Sequence, residues 1–147
     1  MVSRVSILTA LFVIRLVTAV SPVTYDESAQ DRVLEKIEHR SPLSENDAAA
    51  KAKTLNLLPK GENSGTLYSS PKILITYVSG KTDNFQVEIL TGDIKRAKEE
   101  GVKWFLDHGF SKEFICDYPV EFYLNFDLKT KLRNKKTIFN PLPPNCQ

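Results

Sequence analysis

Gly92 to Phe126 constrains the fold more than any other stretch of this 147-residue chain, because it reads as one capped helix feeding one half-buried strand. The carboxylate of Asp93 can accept from the orphan amides of a first helical turn, and Gly109 suits the left-handed residue that closes a helix. Between them Ile94, Ala97, Gly101, Trp104, Phe105 and His108 fall on one side at helical spacing, with Lys95, Lys98, Glu99, Glu100 and Lys103 mostly opposite. A glycine inside a helix costs about 1 kcal/mol relative to alanine, so Gly101 predicts a close approach of the helix backbone to a sheet. After a short connection, Val120, Phe122, Leu124 and Phe126 alternate with Glu121, Tyr123, Asn125 and Asp127, which gives a strand one apolar and one wet face.

The flanking segments complete the architecture. Ile73, Leu74, Ile75, Tyr77 and Val78 are mostly β-branched or aromatic, Ser79 to Asn84 has turn composition, and Phe85, Val87 and Ile89 alternate with polar residues, so the three together read as a hairpin. Downstream, Asp127 can cap a short helix running to Arg133 or Asn134, and residues 137–139 can form a last strand before Pro141, Pro143 and Pro144 forbid regular structure. The order from Lys72 is strand, strand, helix, strand, helix, strand. Such an order predicts an α+β, two-layer sandwich: a small, mainly antiparallel sheet covered on one face by helix 93–108.

Residues 20–66 are polar with sparse apolar positions. Val33, Leu34 and Ile37 can line a helix over Glu27 to His39, ending before Ser41-Pro42, and Ser44 to Asp47 resembles a capping box for a second helix running from Ala48 to Leu58. A packed helical pair, a pro-segment and a loose arm all satisfy this pattern. Lys60 to Ser70, rich in Gly, Ser and Asn, reads as the linker, leaving residues 67–147 as the compact domain.

The first nineteen residues stand apart. Met1 to Arg4 form a basic n-region, Val5 to Ile14 an apolar run, and Val17-Thr18-Ala19 a cleavage site that would start the mature chain at Val20. A membrane anchor is the competing reading, but Arg15 ends the run well short of the roughly 20 apolar residues that a span needs. A secretory signal places the mature protein in an extracellular or periplasmic compartment. Cleavage also removes Arg4 and Arg15, so 18 basic residues face 18 acidic ones and the strong basic excess of a dedicated nucleic-acid binder is missing. The local run of Lys129, Lys131, Arg133, Lys135 and Lys136 reads as the solvated face of a short helix.

An exported chain with two cysteines pairs them, and a Cys116–Cys146 disulfide would hold down the Pro-rich tail. A loop of about 30 residues gives such a bridge on the order of 3–4 kcal/mol of stabilisation. A nucleophilic cysteine assisted by His108 is the rival, and pairing would remove it.

Residues with catalytic chemistry are few. The histidines are His39 and His108, and the HExxH, CxxC, GxGxxG, Walker and GxSxG patterns do not occur, so no metal set and no cofactor site is predicted. His108, with Asp107 and Asp117 near it in sequence, is the remaining candidate for a small hydrolase, against the plainer role of a histidine capping the end of its helix. Thr76-Tyr77-Val78-Ser79-Gly80 resembles the hairpin motif of cystatins at Val78 and Gly80, with Thr76 where that motif has Gln and no Pro-Trp second hairpin. This resemblance implies protease inhibition as an alternative activity. The leading expectation is a secreted, non-enzymatic binding or interaction module. Its partner is another protein rather than nucleic acid or, once the leader is removed, a membrane, and its marker is an exposed apolar patch such as one beside Tyr123.

Overall fold

A computed structural model describes residues 23–133 and 135–146, so the leader read over residues 1–19 lies outside the described residues. In chain order the elements are β1 (Thr24–Tyr25), α1 (Glu27–Glu38), α2 (Glu45–Leu55), β2 (Gly65–Ser69), β3 (Ile73–Val78) and β4 (Asn84–Ile89). They continue with α3 (Ile94–Asp107), α4 (Lys112–Asp117), β5 (Val120–Leu124), α5 (Phe126–Leu132) and β6 (Ile138–Phe139). The main sheet runs β2-β3-β4-β5, antiparallel from β2 to β4 and parallel between β4 and β5. A parallel neighbour requires a long crossover, which α3 and α4 provide. The result is the expected α+β arrangement, a mainly antiparallel sheet with α3 laid across one face.

Period-two alternation buries Ile73, Ile75 and Tyr77 of β3, Phe85, Val87 and Ile89 of β4, and Val120, Phe122 and Leu124 of β5. Each such side chain contributes about 1.5–3 kcal/mol by leaving water. Phe85 centres an aromatic cluster, with Phe105 of α3 edge-on at 5.2 Å and Phe110, Phe114 and Tyr118 around it. Asp93 accepts from the Arg96 amide as the α3 cap, and Gly109 closes the helix at φ +90°. A Cβ built on Gly101 would lie 2.9 Å from Cε1 of Phe122, so alanine there would force the ring to shift.

Several local expectations are corrected. Residues 60–70 are not all linker, because Gly65–Ser69 forms edge strand β2, with a register shift between Thr66 and Tyr68. The connection after Gly109 contains α4, capped by Ser111, whose Oγ accepts from the Phe114 amide. The strand expected to reach Phe126 stops at Leu124: Asn125, rather than Asp127, caps α5 by accepting from the Leu128 amide, and Phe126 is exposed. The last strand pairs in parallel with β1 and does not join the main sheet. That small pair shields the free edge of β5, where the Phe122 amide donates to the Pro141 carbonyl and the Leu124 amide to the Tyr25 hydroxyl.

Helices α1 and α2 pack on the domain. Ala29 and Val33 of α1 are buried against Leu142 of the tail, while Ala50 of α2 and Leu58 beyond it join the main core. Ser44 caps α2 as expected, and Asp47 does more than complete the cap. Its carboxylate also accepts from the Ser111 amide at 2.8 Å and hydroxyl at 2.9 Å, tying α2 to α4.

Candidate functional site

The residues named for a hydrolase do not converge. His108 caps α3, donates from Nδ1 to the Trp104 carbonyl at 2.7 Å, and stacks on the Trp104 ring with centroids 4.1 Å apart. Asp107 is exposed and paired with Lys103, and Asp117 lines two small pockets beside Ser41, neither of which includes His108. Among the described residues no ion pair joins His108 to either carboxylate. Cys116 and Cys146 form a disulfide with Cα atoms 5.1 Å apart, so neither sulfur is free to act as a nucleophile. The Tyr123 row is not an apolar patch either, since its register sets Leu74, Glu88 and Tyr123 side by side and the Tyr123 hydroxyl donates to Glu88. Burial first, and Glu88 second, push the Tyr123 hydroxyl up to about 12.

Two other clusters carry the chemistry. The first is built on Asp83, in the β3–β4 turn. It accepts from Arg40 Nη1 at 2.6 Å, from Lys51 Nζ at 2.6 Å and from the Tyr77 hydroxyl. The Lys51 ammonium also lies 5.4 and 5.1 Å from the ring centroids of Tyr77 and Tyr118. Burial alone would raise the Asp83 carboxyl, but the hydrogen bonds from Lys51 and Tyr77 outweigh it and hold it below the usual range. The Tyr118 hydroxyl is buried beside Asp83, and burial first, then that carboxylate, push its ionisation upward. With the single Asp83 carboxylate shared by two cations and the Tyr77 hydroxyl, this cluster works as a clamp joining the α1–α2 connection, α2 and the sheet.

The second is a cleft of about 530 Å³ between α3 and the C-terminal tail. Ile94, Ile138, Phe139 and Pro144 supply its apolar surface, and Ile138 stands 70% exposed at the rim. Lys98 lies half-buried in the wall, donating to the carbonyls of Asn140 at 2.5 Å and Leu142 at 2.7 Å, with its ammonium 5.3 and 5.1 Å from the Phe122 and Phe139 ring centroids. Burial lowers its pKa to about 8. The disulfide ties the end of the tail to α4, which holds one wall of the cleft in place. The basic run after Leu128 adds nothing here: Lys131, Arg133, Lys135 and Lys136 are exposed, and Lys129 covers the Tyr25 ring.

Sequence reasoning missed both clusters. Asp83 was legible only as a turn residue and Lys98 only as part of a polar helix face, because their partners lie up to 43 and 44 residues away. No protein-family model matches the chain, and comparison with curated proteins and with solved structures finds no significant similarity to any of them.

Proposed function

We propose that the chain is a secreted, non-catalytic binding module whose ligand seats in the cleft between α3 and the C-terminal tail. The observation that carries this reading is the cleft: its volume of about 530 Å³ falls within the range of ligand pockets, and a few polar groups punctuate a mainly apolar lining. Ile138, in the short β1–β6 pair, is exposed without a covering side chain at its mouth, as expected of a surface that gains from burial in a complex. A binding rather than catalytic role is supported by His108, whose Nδ1 is spent on a backbone carbonyl. Export is supported by the leader pattern and by the disulfide, which persists in oxidising compartments. Among the described residues no helix is long and apolar enough to cross a membrane.

Nile red, a neutral dye that fluoresces in apolar surroundings, tests the site without presupposing the natural ligand. Titration of the full chain should give saturable fluorescence that Ile138→Asp abolishes. That substitution changes an exposed residue, so the fold is expected to survive it. No enhancement, or enhancement indifferent to Ile138→Asp, would contradict the reading.

A further inference from the structure

We infer that the ligand of this cleft is an amphiphilic monocarboxylate, its apolar body lying along Ile94, Ile138, Phe139 and Pro144 and its carboxylate seated on the Lys98 ammonium; this rests on the binding reading above. An ammonium has three N–H donors, and Lys98 spends two of them on the Asn140 and Leu142 carbonyls. Its other neighbours are the faces of Phe122 and Phe139. All four partners are neutral, and among the described residues no carboxylate lies within ion-pair distance of Lys98. Lys95 and Glu99, the other charged residues of the cleft, are exposed and face each other at 4.0 Å. The tail residues that line it carry no charge.

A half-buried cation with no counter-ion among the described residues is costly, and two carbonyls and two ring faces offset that cost without supplying a negative charge. One remaining donor and one unbalanced charge match one carboxylate oxygen, and the pair would be shielded from water by the same rings that desolvate the lysine. A phosphate dianion would bring a second charge that nothing in the cleft balances. An apolar molecule with no head group would leave the Lys98 charge as it is.

The test is displacement of Nile red from the full chain by decanoate and by decanol, both kept below concentrations at which they form micelles. A charge-assisted hydrogen bond predicts that decanoate displaces the dye at about tenfold lower concentration than decanol near pH 6.5. Because Lys98 loses its proton at about 8, the advantage should shrink to about twofold or less near pH 9.5. Lys98→Met should abolish the preference for decanoate over decanol, and Lys98→Arg should keep it at high pH. If Lys98→Met does not fold, the pH series on the unaltered chain still decides. Equal potency of decanoate and decanol near pH 6.5, in a chain that binds Nile red, would overturn the carboxylate inference and leave the cleft standing. Absence of Nile red binding would remove the cleft and this inference together.

Discussion

Replacing Asp83 with Asn probes the clamp that fastens the N-terminal helices to the sheet. Asparagine keeps the size of the side chain and tolerates the left-handed backbone at this position, φ 37°, so the change removes charge without adding strain. It leaves Lys51, whose side chain is 16% exposed, and Arg40, 27% exposed, facing each other with no anion between them. Breaking a fully buried pair costs about 3–5 kcal/mol; partial exposure here, and the Lys81 and Thr82 carbonyls that still accept from Arg40, reduce the expected loss to about 2–3 kcal/mol. Urea denaturation at neutral pH measures it, with the midpoint falling and the slope unchanged. The pH dependence has a definite sign. The Asp83 carboxyl is held below its ordinary value in the folded state, so its contribution is present above about pH 4 and is lost as pH falls through the lower folded-state value. The gap between the two proteins should therefore narrow under acid. A loss below about 0.5 kcal/mol, or one that stays constant into the acid range, would refute the clamp.

Gly101→Ala should destabilise by about 1–2 kcal/mol despite the better helix propensity of alanine, because its Cβ would meet Phe122 at 2.9 Å and Val87 at 3.3 Å; thermal unfolding that rises instead would show that the ring yields. Serine at both Cys116 and Cys146 should cost about 3–4 kcal/mol in chemical denaturation and should also weaken Nile red binding, since the bridge positions one wall of the cleft. Free-thiol titration of the unreduced, denatured chain should find no reactive sulfhydryl.

What could be read from the residues was whatever is decided locally. Asp93 and Gly109 bound their helix through hydrogen bonds and backbone freedom that reach only a few positions, and Gly101 announced a close approach through its missing side chain. Alternation located β3, β4 and the body of β5 because each has one face in the core. It failed at Phe126, where the parallel ladder with β4 ends at Ile89 and Leu124 and the Asn125 side chain turns the chain into a helix. Strand β2 was hidden because an edge strand with a bulge and half-buried residues has no regular period, and six-residue α4 is too short to show one. The cleft was invisible for a different reason. Lys98 belongs to a polar helix face in sequence and becomes a half-buried cation only when the tail returns across it, a contact that no local pattern encodes.

Entry of ligands between α3 and the tail can be followed residue by residue through amide chemical shifts of the full chain during a Nile red titration. Saturable shifts are expected in residues 94–99 and 137–145, with Thr76, Gln86 and Tyr123 on the other face of the sheet unmoved. Shifts centred on those sheet residues or on the Asp83 cluster, with the cleft silent, would contradict it.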